Sequence, residues 1–305
     1  MLERAVDVLI VGGGPAGLQA ALVLGRARRT VVVIDAGSPR NRDADAVHNL
    51  CGQEGVAPGR LLARGRQDVS RYGVEIVPGE VAEVRRDGAH TVSRTASGDV
   101  LRARAVVLAT GVVEDLPAVA GLAALWGRDV VSCPYCHGWE ARDKAVAVLG
   151  TGPRAWRQVL LMRRYTEDLA LLGNGPAGLD DQQLEYVRRT GIAVEEQPVA
   201  RVRSEDGHLA GIELADGTVL ARDVVFAATT RRQPSGLAAE LGCLIEVAGV
   251  GTDPAGRTSV PGVWAVGSAT DPSLTIAGSA GHATGVAIAI NDALVDEDLA
   301  LALRS

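Results

Sequence analysis

Six residues near the amino end constrain this chain more than any others: Gly12, Gly13, Gly14, Pro15, Ala16 and Gly17, set directly behind an apolar, β-branched run over residues 5–11. Gly12 permits a tight turn, Gly14 lets the backbone approach a pyrophosphate, and Gly17 lets a following helix pack closely on the strand. Leu18 to Leu24 are helix formers, and Thr30 to Ile34 make a second apolar strand that ends on Asp35. Strand, glycine turn, helix, strand and terminal acid, in that order over about 30 residues, predict a βαβ dinucleotide-binding unit. The phosphates would face the helix amino terminus and Asp35 a ribose.

The same grammar recurs. Lys144 to Leu149 read as a strand, Gly150 to Ala155 as a turn, Trp156 to Arg164 as a helix and Leu169 to Leu172 as the next strand. Turns at Asp87-Gly88 and Ser97-Gly98-Asp99 precede the strand Ala105 to Ala109, and turns at Asp206-Gly207 and Asp216-Gly217 precede Val224 to Ala228. The tail, Val263 to Ser268, passes through Gly278-Ser279-Ala280-Gly281 into an apolar helix, Gly285 to Ala293. Nothing closes this tail as a domain of its own, so it is expected to complete the first one. With 305 residues, 47% of them hydrophobic, the chain can bury two cores. The expected fold is α/β, two Rossmann-like three-layer domains with the second inserted into the first. The expected boundaries are 1–112 with 232–305 for the first domain and 113–231 for the second.

A net charge of −6 offers no footprint for a phosphate backbone and excludes nucleic acid as a partner. No apolar run reaches the ~20 residues that span a bilayer, and the amino end runs straight into a strand, so a cytoplasmic protein is expected. Four cysteines under those conditions do not make a disulfide framework. Cys51 and Cys243 read as small core hydrophobes. Cys133 and Cys136 have the spacing at which two sulfurs meet across one turn and cycle between dithiol and disulfide. His137, adjacent to the pair, is a candidate to accept a thiol proton. No second CxxC or spaced histidine pair completes a metal site. The second glycine turn is weaker than the first: Ala155 replaces its third glycine, and the following strand ends on Gly173-Asn174-Gly175, with neither the acid that reads an NAD ribose nor the arginine that reads an NADP phosphate.

Taken together, Gly12 to Gly17, Asp35, Ala109-Thr110-Gly111, the CxxC and the tail from Gly267 to Gly281 resemble the low-molecular-weight thioredoxin reductase family over essentially the whole chain. That resemblance implies a homodimer, FAD on the discontinuous first domain and the CxxC on the insertion. Three positions depart from the family pattern. His137 stands where an Asp is usual, Gly173-Asn174-Gly175 replaces a His-Arg-Arg segment that grips NADPH, and Gly267-Ser268 replaces Gly-Asp. The cysteine–histidine signature, with Ser38-Pro39-Arg40-Asn41 and His48 upstream, is closer to the FAD-dependent dithiol oxidases that close disulfides in natural products of the gliotoxin and holomycin type. By that resemblance the partners are a small-molecule dithiol and O2, Cys133 exchanges with the dithiol, Cys136 faces the flavin and His137 assists proton transfer. Gly13 to Ala16 and Asp35, Ala36, Gly37, Ser38, Pro39 and Arg40 would hold the adenosine and pyrophosphate. His48, Ala109, Ser268, Thr275 and Ile276 would line the flavin. His282, near the start of the tail helix, could also approach the flavin and is the alternative to His137 as proton acceptor, although a surface or capping role is the commoner outcome for a lone histidine, and it is left out of the catalytic set. An NAD(P)H-dependent disulfide reductase and a flavin redox sensor without turnover remain as alternatives.

Overall fold

The first apolar run is a strand, β1 (Glu3–Val11), in a computed structural model that describes residues 3–304. Val8, Leu9 and Ile10 are fully buried because β1 is central, with β2 (Val31–Asp35) parallel to it on one side and β6 (Val100–Leu108) on the other. Burial on both faces is what a continuous apolar strand requires. Each such side chain removed from water contributes about 1.5–3 kcal/mol. β3 (Glu75–Pro78) extends the sheet beyond β2, while β5 (His90–Thr95) and β4 (Val81–Asp87) extend it beyond the start of β6. β17 (Val263–Ala265) pairs in parallel with the end of β6. The hairpin turns at Asp87-Gly88 and Ser97-Gly98-Asp99 lie where the sequence places them.

Around this sheet lie α1 (Pro15–Arg26), α2 (Pro58–Ser70), the short α6 (Leu237–Glu240) and α7 (Ile276–Ala302). α7 begins at Ile276, nine residues before the expected start at Gly285, so Gly278 and Gly281 lie inside it. Thr275 caps its start, Oγ1 accepting from Gly278 N at 3.2 Å. Ala283, Val286, Ala287, Ile290 and Leu294 are buried along one face in a core shared with α1. Such packing outweighs the ~1 kcal/mol that each interior glycine costs a helix. At its far end Asp298 and Glu297 pair with Arg104 of β6 at 2.6 and 3.0 Å, and Arg104 also meets Asp7 at 3.0 Å.

The second sheet is wholly parallel, in the order β11 (Ala193–Glu195), β10 (Leu169–Leu172), β9 (Val146–Leu149), β15 (Val224–Ala227) and β8 (Val130–Val131). α3 (Pro134–His137) follows β8, α4 (Gly152–Met162) links β9 to β10 and α5 (Asp181–Thr190) links β10 to β11. A separate antiparallel sheet, β12 (Val199–Glu205), β13 (His208–Leu214) and β14 (Val219–Leu220), turns at Asp206-Gly207 and Asp216-Gly217. β7 (Val113–Asp115) and β16 (Thr230–Arg232) pair where the chain enters and leaves this region.

The chain divides into two compact units. One runs to Arg40, resumes over Gly59–Val113 and returns from Arg231; the other comprises Asn41–Pro58 and Glu114–Thr230. Residues 41–58 thus pack with the second unit, which a division at 112/113 and 231/232 does not provide for. The segment carries no strand or helix periodicity, so nothing local announces its attachment. It also carries Cys51, which is exposed rather than in a core, whereas Cys243 is buried beside Thr258 and burial pushes its thiol up.

Candidate active site

All the parallel strands of the first sheet point the same way, so Val11, Asp35, Leu108 and Ala265 end β1, β2, β6 and β17 along one edge, where α/β sheets bind their ligands. Gly12 has φ +109°, and a Cβ there would lie 2.3 Å from the Ala109 carbonyl oxygen; one on Gly17 would lie 1.9 Å from that of Gly12. Only glycine allows this closure of strand, turn and helix. Gly14, by contrast, faces open space, and it starts α1 without a side-chain cap or an acid in the first turn. The first N–H groups of the helix are therefore left for an anion.

Asp35 accepts from Arg66 Nη2 at 2.8 Å and from Gly37 N at 3.1 Å. Burial works against its charge, yet the Arg66 guanidinium and the N–H groups of Gly37 and Gly13 outweigh it and hold the carboxyl below its usual range. Ala36 to Arg40 continue from this edge, with Arg40 donating to the Pro272 carbonyl at 3.0 Å. Ala109-Thr110-Gly111 and Gly267-Ser268 meet there too, since a Cβ on Gly111 would lie 3.7 Å from Ser268 Oγ. Thr275 and Ile276 open α7. Arg66, which arrives from α2 with no local signal, escaped the sequence reading. His282, left out of the catalytic set, accepts from Gly267 N at 3.2 Å through Nδ1, and burial keeps it below the usual histidine range against the pull of Asp271.

The CxxC forms in the second unit, where Cys133 is the N-cap of α3 and is disulfide-bonded to Cys136 with Cα atoms 5.2 Å apart. Cys133 Sγ accepts from Cys136 N at 3.2 Å. Gln158, buried on α4, donates to the carbonyls of Ser132 at 2.7 Å and Ala227 at 3.1 Å, which fixes the approach to the first cysteine. Gly138 must be glycine because a Cβ there would meet Tyr165 at 2.6 Å. Asn49, from the 41–58 segment, donates its side-chain N–H to the carbonyl of Tyr135, between the two cysteines, at 2.6 Å. Tyr135 and Trp139 are exposed, and Arg142 stacks on Trp139 at 4.3 Å.

His137 follows directly, and its Nδ1 is buried with no hydrogen-bond partner among the described residues. Burial pushes the ring below the usual histidine range; Glu140 pulls it back and His48 adds to the depression. His48, expected to line the flavin, belongs to this second unit, where Nδ1 lies 2.6 Å from Glu54 Oε1 and Nε2 lies 3.6 Å from Glu140 Oε1. Among the described residues no three His, Cys, Asp or Glu side chains are arranged to hold a metal, and no helix is long and apolar enough to cross a membrane.

The family model for pyridine nucleotide-disulphide oxidoreductases matches residues 6–286. The chain belongs to this family. Its fold is of the low-molecular-weight thioredoxin reductase type and its cofactor is FAD. Thioredoxin reductase tcpT of Claviceps purpurea is 32% identical over 87% of this chain and 87% of its own length. Thioredoxin reductase aclD of Aspergillus oryzae is 30% identical over 88% and 89%. Among solved structures HlmI is 42% identical, covers 98% of this chain and 96% of its own, and superimposes with a TM-score of 0.95. An oxidoreductase of Agrobacterium tumefaciens is 31% identical over 96% and 99%, with a TM-score of 0.90.

As a pyridine nucleotide-disulphide oxidoreductase, the protein is expected to purify yellow, with bound flavin. The first-sheet edge fits FAD: an uncapped helix start for the pyrophosphate and an ionised Asp35 for hydroxyl groups. Gly17→Val, which drives a side chain into the Gly12 carbonyl, is expected to remove the flavin absorbance; a Gly17→Val protein that still takes up added FAD would contradict that placement.

The second glycine turn in this oxidoreductase is less well furnished. Asn174, where a ribose-reading acid or a phosphate-reading arginine would stand, has φ +55° and turns its Oδ1 to accept from Val199 N at 2.7 Å. Gly173 N donates to Glu195 O at 2.8 Å and Ala177 N to Glu196 Oε1 at 2.9 Å, so the loop closes on β11 and the residues following it. Asp180, which lines the crevice over Gly150 and Gly152, is engaged in a capping box with Gln183 at 2.8 and 3.1 Å.

Proposed function

We propose that this flavoprotein disulfide oxidoreductase is an oxygen-dependent dithiol oxidase that closes an intramolecular disulfide in a small-molecule dithiol and works as a homodimer. The observation that carries the reading is His137: directly after Cys136, partly buried, biased toward the neutral ring and with Nδ1 unengaged among the described residues. A neutral imidazole can take a thiol proton at its unprotonated nitrogen. One substrate thiolate attacks Cys133 Sγ, and the Cys133–Cys136 bond breaks with Cys136 leaving as the thiolate. The second substrate thiol, losing its proton, attacks the substrate sulfur of the mixed disulfide and releases Cys133. Substrate is now oxidised by two electrons and the cysteine pair reduced by two. Bound FAD would supply the acceptor for those two electrons, with O2 as the terminal oxidant, so that dithiol plus O2 gives disulfide plus H2O2.

The FAD residues would be those of the first-sheet edge, and Asn174 supports a route that does not draw on NADPH. Oxygen uptake by the purified protein with a panel of dithiols, with and without NADPH, tests this. The expected result is turnover without NADPH and one H2O2 formed per disulfide. Turnover that requires NADPH and a disulfide substrate would make the protein a reductase, and flavin reduction without turnover would make it a sensor.

A further inference from the structure

The two glycine turns share the pattern Gly-x-Gly-Pro and differ at the next residue, Ala16 in the first and Arg154 in the second. Arg154 lies in the first turn of α4, whose N-cap Thr151 makes no side-chain bond and whose first turn holds no acid. A cation there opposes the helix dipole and, with the N–H groups around it, would draw in a phosphate. Arg154 is instead paired from within. Glu114, on β7, brings Oε2 to 3.5 Å from Arg154 Nη2. The same oxygen accepts from the hydroxyl of Thr229, which is buried. Only 4% of the Glu114 side chain is exposed, against 32% for Arg154. This pair lies beside the turn itself. Thr229 follows Ala228, which donates to the Leu149 carbonyl at 2.8 Å and which a Cβ on Gly150 would meet at 2.7 Å. Gly150, Thr151 and Gly152 line a crevice of about 380 Å³, a volume that a small ligand can fill, so space alone does not exclude a phosphate.

We propose that Glu114 is a specificity-determining residue that closes the second glycine turn to pyrophosphate, by occupying Arg154 and setting a carboxylate beside the turn. The proposal rests on the reading of this protein as one that does not draw on NADPH, and it adds a cause distinct from Asn174. The position of Asn174 bears on the adenosine ribose, whereas a carboxylate beside the glycine turn acts on the pyrophosphate that all dinucleotides share. Glu114 serves Arg154 as a built-in anion.

ADP carries the pyrophosphate without nicotinamide and is the probe, titrated calorimetrically into the FAD-loaded protein. The parent is expected to bind it weakly. Glu114→Gln keeps the length of the side chain and an oxygen for Thr229 but removes the charge and releases Arg154. It should bind ADP at least about tenfold more tightly than the parent. Adding Arg154→Ala to Glu114→Gln should cancel most of that gain, which a general loosening of the crevice would not. Thr229→Val removes only the hydroxyl that holds the carboxylate; it should give a smaller gain in the same direction, and it decides the matter if Glu114→Gln does not fold. Equal ADP affinity in the parent and both single variants overturns the proposal, as does a gain that survives the loss of Arg154. Anaerobic NADPH separates the two readings: a parent flavin that stays oxidised, with no gain in the variants, removes the role of Glu114 alone, whereas rapid bleaching shows the turn already open and removes both.

Discussion

Serine in place of either Cys133 or Cys136 is expected to abolish dithiol oxidation, a loss of about three orders of magnitude or more. Exchange needs one sulfur to be attacked and a second to leave and later resolve, and neither variant retains both. In the proposed mechanism Cys136→Ser keeps the sulfur that would meet substrate but has no internal disulfide to open, while Cys133→Ser removes that sulfur outright. The fold should survive in both. Serine at 133 retains an oxygen that can accept from Cys136 N, where the sulfur accepts at 3.2 Å, and serine is a good N-cap. Melting curves near the parent's, with activity lost, would therefore locate the damage in the chemistry. Cys51→Ser and Cys243→Ser, at positions outside the pair, should turn over dithiol normally. Full activity in either CxxC variant would remove the proposed path from substrate to flavin.

An anaerobic stopped-flow trace gives the second large effect. Excess NADPH is expected to leave the flavin oxidised for minutes, whereas a suitable dithiol should bleach it and readmitted air should restore the colour. The reason lies in the loop from Gly173 to Gly178, which contains no arginine, lysine or histidine, and in Asn174, whose side chain is spent on Val199 N at 2.7 Å. Each charge-assisted contact to a phosphate contributes about 1.5–3 kcal/mol. Two such contacts missing weaken binding by about two to four orders of magnitude. Rapid bleaching by NADPH would reverse the assignment and make the protein a reductase.

What the sequence made legible follows physical locality. Gly12 to Gly17 and Asp35 announce themselves because strand, turn, helix and acid lie within one short stretch, and the structure brings them together on one sheet edge. Cys133, Cys136 and His137 are contiguous and equally plain. Arg66, Gln158, Asn49, Glu54 and Glu140 contact these residues or their neighbours, but each reaches its partner through tertiary packing, from residues that look like ordinary surface polar groups or a helix interior. The start of α7 lies earlier than the expected Gly285 for a related reason: Gly278 and Gly281 weaken a helix signal when taken alone, and the buried face against α1 outweighs them. For His48, expected at the flavin by resemblance, the approach to Glu140 has no local signal, since Glu140 lies some ninety positions on.

Asn41–Pro58 gives the second unit a property its boundaries conceal. Its clasp is written upstream: the donor that grips the Tyr135 carbonyl and the histidine between two carboxylates are both made before the helix they serve. Residues 113–231 therefore cannot be transplanted as a cassette. Moved into another host with its strands and cysteines intact, that stretch would carry a redox pair with the Tyr135 carbonyl unheld and Glu140 without its neighbour His48. For the same reason, insertions or exchanges in the stretch just after the first βαβ unit would act on thiol chemistry from far away in the sequence, and swapping that stretch between homologues is a compact way to retune the site without altering the CxxC itself.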